Sequence, residues 1–211
     1  YRPQSYYDSG AWRGTWELDG GGALMNQAIH SVDLLLWLMG PAVEVRARTA
    51  LLAHERIAVE DVAQATLAFE NGAVGMIEAS TAIYPGYLKH IEIHGSEGSA
   101  VTEEEDIVKW DFAKKRKSDE KILAAMATRK SGGGGAADPA AIGHHGHARQ
   151  FQDVLNAIKR GVPPSIDGPE GRRSVELILA VYKAAETGKA LKLPLASDPV
   201  LRARKVGVGG M

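Results

Sequence analysis

Asp19–Gly40 reads DGGGALMNQAIHSVDLLLWLMG. Three glycines run into a stretch where Met25, Ile29, Val32, Leu36 and Met39 recur at the spacing of one buried helical stripe. Gly40-Pro41 closes it, so the pattern predicts a helix over about residues 22–39. Asn26, His30, Asp33 and Trp37 are spaced by four, three and four, which gives them a second, shared face beside that stripe. An apolar helix with a polar flank calls for a sheet on one side and something else on the other.

Downstream the period falls to two. Val43 to Arg48, Ala65 to Phe69 and Ile91 to His94 alternate as half-buried strands do. Glu70-Asn71-Gly72 marks a tight hairpin, because Asn-Gly tolerates the positive φ such turns need. Gly95-Ser96-Glu97-Gly98 marks a second turn and Glu103 to Asp106 a third. Five or six consecutive strands with short links predict a largely antiparallel sheet. Phe151, Val154, Leu155 and Ile158 predict a helix ended by Gly161. Asp167-Gly168-Pro169-Glu170 has the form of an N-cap opening another, with Val175, Ile178, Leu179 and Tyr182 turned inward as far as Gly188. The fold class is therefore α+β: a largely antiparallel open β-sheet with helices on one face.

One domain is expected over residues 1–195, with a tail over 196–211. Within it, 113–146 reads as a long flexible loop carrying a charge run, a glycine run and a short helix near Ile122 to Met126. The first segment, to about Leu18, reads as an ordered loop. Tyr1 opens the chain in place of Met, and we expect a longer parent protein.

Composition narrows the chemistry. The 211 residues carry 25 Lys and Arg against 26 Asp and Glu, a formal charge of −1 that favours neither nucleic acid nor an anionic membrane. There is no cysteine, which excludes disulfides and thiolate metal sites and agrees with a cytoplasmic location. No apolar run approaches the roughly 20 residues of a membrane span.

A carboxylate one turn from an imidazole orients it and raises its basicity, so His30 with Asp33 suits general acid–base work. Structural hydrogen bonding inside the domain is the other reading of the pair. Gly20-Gly21-Gly22 reads as a phosphate cradle at a helix N-terminus, or as close packing against another element. Arg13, between Trp12 and Trp16, suits an anionic or hydroxylated ligand. His144, His145 and His147 lack the acidic or thiolate complement of a metal site; no metal is assigned, and a histidine lining a ligand pocket fits better. Neither the dinucleotide fingerprint nor a P-loop occurs.

Together the segments resemble one family. WRGTWELDGGGALMNQAIHSVDLLLWLMGP (12–41), IEIHGSEGSAV (91–101) and GHARQFQDVLNAIKRGVPPSIDGPEGRRSVELILAVYKAAETGKALKLP (146–194) are similar to the C-terminal domain of Gfo/Idh/MocA oxidoreductases. The resemblance implies NAD(P)-dependent hydride transfer at a hydroxyl carbon of a sugar, nucleotide-sugar or cyclitol. NAD or NADP would be held mainly by an N-terminal Rossmann domain outside this chain. His30 would be the general acid/base, Asn26 would stand where many relatives have Asp, and Asp33 would be the electrostatic partner of His30. Arg13, Trp16 and His147 would bind substrate, and Gly21 and Gly22 would let the helix approach the cofactor. A homodimer or homotetramer through the open sheet face is also implied, with strands such as Thr66 to Phe69 apolar on both sides. An NAD-dependent glycosidase of the same fold and a non-catalytic ligand-sensing relative are the alternatives.

Overall fold

The computed structural model describes residues 1–104, 106–128 and 145–200. Parts of the expected 113–146 loop and 196–211 tail, and one position of the third turn, lie outside the described residues. The chain divides into two compact units, one made of Tyr1–Tyr84 with the segment from Arg149 on, the other of Pro85–Ala148.

In the first unit a short helix α1, Gln4–Asp8, opens the segment expected to be loop. A π-helical turn, Ala23–Ala28, then runs directly into α2, Ile29–Met39. The strands β1 (Ala42–Ala50), β2 (Val62–Phe69) and β3 (Val74–Ser80) follow. After α4 (His145–Arg160), which starts in the other unit, come α5 (Gly168–Thr187) and the two-residue strand β7 (Leu191–Lys192). The sheet order is β3-β2-β1-β7, with every neighbouring pair antiparallel.

Local chemistry explains the boundaries. Asn71-Gly72 makes the β2–β3 turn, with Gly72 at φ 84°, and Asn71 does a second job. Its Nδ2 donates to the Met39 carbonyl at 3.0 Å, satisfying one of the carbonyls that α2 leaves open at its end. The Asp167 side chain accepts from the Glu170 amide at 2.9 Å, and Gly188, at φ 67°, closes α5.

The core lies between one sheet face and two helices. Val45, Ala63, Ala65, Leu67 and Phe69 come from the sheet, Val32 and Leu36 from α2, and Leu177, Ile178, Val181 and Tyr182 from α5. The stripe expected of Asp19–Gly40 thus packs inward, with Met25, Ile29 and Met39 half-buried at its margins. The other sheet face is mixed, with exposed Val74 and Met76 among polar and charged side chains. Arg46, Thr66 and Met76 form one cross-strand row, and Arg48, Gln64 and Glu78 the next. Strands apolar on both sides are therefore corrected to strands that alternate, because the helices cover one face only.

The second unit is a separate three-stranded meander, β4 (His90–Gly95), β5 (Gly98–Glu103) and β6 (Asp106–Phe112), followed by α3 (Asp119–Ala127). The sequence reading placed these strands in one sheet with β1–β3. Residues 81–89, which include Pro85-Gly86, connect β3 to β4 without joining either sheet. Within the 113–146 segment, the expected short helix near Ile122 to Met126 is α3, and α4 begins at His145, within the segment's last two residues. Among the described residues no helix is long and apolar enough to cross a membrane.

Candidate active site

The glycines at the helix entrance are held from within. Glu60, just before β2, turns its carboxylate onto the start of the π-turn: Oε2 accepts from the Gly22 amide at 3.0 Å and Oε1 from the Leu24 amide at 2.9 Å. Tyr182 of α5 donates to the same Oε1 at 3.0 Å, and its oxygen accepts from the Met25 amide at 3.2 Å. A carboxylate of this chain therefore fills the place where a phosphate would sit. Gly21 and Gly22 are buried, and a Cβ on Gly22 would run into the Glu60 carbonyl, one on Gly21 into the Tyr182 hydroxyl. Close packing inside the domain requires glycine at both positions.

Burial pushes the Glu60 carboxyl above its ordinary value, although the two amides and the Tyr182 hydroxyl pull the other way. Burial and the facing Glu60 likewise push the Tyr182 hydroxyl up. A carboxyl whose pKa rises on folding holds its proton more tightly folded than unfolded. Its contribution to stability is complete below the ordinary value of 4.5 and is lost as pH rises through the raised one. Glu60→Gln turns one acceptor into a donor facing donors, and is expected to cost about 1–3 kcal/mol at acid pH. The gap from wild type should then narrow as pH rises in denaturant titrations. A gap that stays flat across that range would show that Glu60 does not titrate as its burial implies.

Around Asn26 the side chains form a chain of hydrogen bonds. Arg2 Nη2 donates to Gln27 Oε1 at 2.7 Å, and Gln27 Nε2 donates to Asn26 Oδ1 at 2.7 Å. Asn26 Nδ2 donates to Asp19 Oδ1, and Asp19 Oδ2 accepts from the Gly14 amide at 2.8 Å. Asn26 is therefore fixed in one orientation while keeping a lone pair and an N–H to offer. Arg13 lies beside this chain. Its guanidinium sits over the Tyr6 ring at 4.1 Å and the Trp12 ring at 4.9 Å, with Nε buried and unpartnered among the described residues. The Tyr6 hydroxyl in turn accepts from Gln27 at 3.4 Å. Stacking preorganises Arg13, and no described carboxylate neutralises it.

His30 is exposed, and among the described residues its imidazole meets no hydrogen-bond or ionic partner. Asp33 does not pair with it. Asp33 Oδ1 instead accepts from Ser174 Oγ of α5, tying the two helices together. The expected electrostatic partnership is corrected, because a group on a neighbouring helix competes successfully for the carboxylate. Trp16 has also spent its donor: Nε1 donates to the Ala58 carbonyl at 2.7 Å, and the ring stands edge-on to Tyr182 at 5.1 Å. Only the half-buried ring face of Trp16 is left for a ligand. His147 is exposed in the first turn of α4 and belongs to the Pro85–Ala148 unit. Arg13, Asn26, their hydrogen-bonded neighbours and His30 thus belong to one unit.

Known proteins resemble this chain in sequence and in fold. Residues 1–101 match the family model described as the GFO/IDH/MocA C-terminal domain. Over those residues the chain is similar to the Gfo/Idh/MocA C-terminal domain. The chain is 27% identical over 180 residues to the myo-inositol 2-dehydrogenase of Thermotoga maritima, matching 82% of this chain and 49% of that protein. Its fold superposes with a TM-score of 0.78 and 38% identity on the WlbA dehydrogenase from Bordetella pertussis, solved with NADH and UDP-GlcNAcA, over 92% of this chain and 54% of that one. A levoglucosan dehydrogenase solved with NADH and levoglucosan shares the fold at a TM-score of 0.67 and 22% identity, over 88% and 54% of the two chains. The chain therefore spans about half the length of the relatives it matches.

Sequence reading missed Glu60, Asp19, Arg2 and Gln27. Glu60 had one available signal, the adjacent acidic pair Glu60-Asp61 entering an otherwise apolar strand, VEDVAQATLAF (59–69). A charge that close to a buried strand needs partners.

Proposed function

We propose that this chain is the substrate-binding half of an NAD(P)-dependent oxidoreductase acting on a hydroxyl carbon of a sugar, nucleotide-sugar or cyclitol, with His30 as general acid/base. The observation that carries the proposal is His30 itself: a solvent-facing, unpartnered imidazole on the helix that follows a rigidly hydrogen-bonded Asn26. An imidazole free of internal partners can take a hydroxyl proton and return it near neutral pH. The likeness to dehydrogenases solved with NADH supports the cofactor.

The residues here fit only one end of such a cofactor. The helix-entrance amides of Gly22 and Leu24 are already used by Glu60 and are not free to seat the dinucleotide phosphates. When bound, nicotinamide supplies the hydride acceptor. The chain's own residues take the other tasks: His30 holds and moves the proton, Asn26 orients the hydroxyl by hydrogen bonding, and the Trp16 ring face and Arg13 hold the remainder of the substrate. The proposed partners are the sugar, a nucleotide-binding domain, and further copies of the chain across the open sheet face, where Val74 and Met76 are exposed.

Arg13 favours substrates that bear an anion. Hydrogen bonds to charged groups contribute about 1.5–3 kcal/mol. Arg13→Ala in the protein that joins this chain to its nucleotide-binding domain is therefore expected to raise KM for a carboxylate- or phosphate-bearing sugar by about 10-fold or more, with kcat little altered. Arg13→Lys should not restore it, since an ammonium replaces neither the fork nor the stacking. An unchanged KM would return Arg13 to packing between Tyr6 and Trp12. Absorbance of reduced nicotinamide in a polyol and nucleotide-sugar screen tests the reaction class as a whole.

A further inference from the structure

The polar chain at Asn26 begins at Arg2, and something must hold Arg2. The main chain there is gripped on both sides. Its amide donates to the Thr81 carbonyl at 3.0 Å, and its carbonyl accepts from His54 Nε2 at 2.8 Å. His54 is buried, and its other ring nitrogen, Nδ1, lies 2.9 Å from Asp61 Oδ2. Asp61 is 0% exposed and accepts from the amides of Leu52 and Ala53 at 2.8 Å and of His54 at 3.1 Å. A peptide carbonyl can only accept, and so can a carboxylate collecting three backbone N–H groups. Both nitrogens of His54 therefore face acceptors, and the arrangement is complete only when both carry a proton.

The surroundings suit an imidazolium paired with a carboxylate. The edge of the Tyr7 ring packs on His54 at 4.7 Å between centroids, and the Tyr7 hydroxyl is bonded to Thr81 Oγ1 at 2.9 Å. Thr81 donates its amide to the Asp61 carbonyl at 3.0 Å, closing the ring of contacts. Glu60, the neighbouring acid, is turned away toward Gly22 and Leu24. Asp61 is thus the carboxylate that meets this histidine, and the charges are paired where water is excluded.

We propose that His54 is a positioning residue of the candidate active site. As an imidazolium held by Asp61 it clamps the Arg2 main chain, and the Arg2 guanidinium then holds Gln27 against Asn26. The clamp also fixes the segment that carries Tyr6, on which Arg13 stacks. The clamp stands on hydrogen-bond geometry alone, whereas its effect on turnover rests on the function proposed above.

Two arms test it. In nitrogen–proton NMR of the labelled protein near neutral pH, His54 should show two imidazole N–H correlations, and a single one would overturn the clamp. In His54→Gln, which keeps one donor and the fold, the side-chain N–H signals of Arg2 and Gln27 should move; if they stay in place, His54 does not position them. The kinetic arm compares His54→Phe, which keeps the ring packing but neither donor, with His54→Gln. For the sugar, kcat/KM should fall by up to about 10²-fold in the Phe variant, the order that a misplaced binding group costs. The Gln variant should recover part of the loss, and KM for the nicotinamide should not change. A Leu177→Ala variant, destabilised in the core, should keep its kcat/KM; an equal loss there would mark the His54 effect as general destabilisation. Absence of any dehydrogenase activity in the wild type would sink the proposed function, while the NMR arm would still decide the clamp.

Discussion

His30→Ala is expected to lower kcat by about 10²–10⁴-fold, the usual worth of a positioned general acid or base. The measurement belongs in a protein that joins this chain to the proposed nucleotide-binding domain, with cofactor affinity followed in parallel and expected to be unchanged. The magnitude follows from where the structure leaves the imidazole. It is exposed, meets no described partner, and contributes nothing to the core, so its removal should cost turnover and leave stability alone. Retained turnover would take His30 out of the mechanism. A large loss of stability would show that the side chain has a structural duty. Asp33 gives a useful contrast, because its bond to Ser174 joins α2 to α5 and its loss should be felt in unfolding first.

The second large effect concerns the helix entrance. Gly22→Ala would push a methyl group into the Glu60 carbonyl, which is backbone and cannot step aside, and would disturb the amide that Glu60 Oε2 accepts. The same carbonyl accepts from the Ala23 amide at 3.1 Å, so moving it breaks a second bond. Overpacking of this kind costs about 1–3 kcal/mol, and an unpaired buried group adds about 1–3 more. We expect a loss of about 3 kcal/mol or more in denaturant unfolding. Gly171→Ala on α5 meets open space and should be neutral or stabilising by up to about 1 kcal/mol. If the two variants behave alike, the close approach of Gly22 to Glu60 is not what makes glycine necessary there.

These two positions divide what was readable in the chain from what was not. The stripe Val32–Leu36, the Asn71-Gly72 turn and the Asp167 cap are local: each depends on neighbours within a few residues, so periodicity and turn chemistry reveal it. The face bearing Asn26 and His30 was legible for the same reason, and the family resemblance gave His30 its expected task. Even there the π-turn over Ala23–Ala28 left no trace in the pattern, because apolar spacing does not distinguish it from an ordinary helical turn.

What sequence by itself determined, then, is the α+β class, the order of helix, meander and helices, and the position of a histidine beside a buried stripe. Tertiary structure alone decided which polar groups are spent. Glu60 occupies the helix entrance, Ser174 takes Asp33, the Ala58 carbonyl takes Trp16, and His54 with Asp61 holds Arg2. Each of these pairs joins residues far apart in the chain, and a buried polar group takes whichever partner the fold brings within about 3 Å. No spacing rule contains that information. The helix reveals its own faces, but only packing settles which of its polar residues remain available for chemistry.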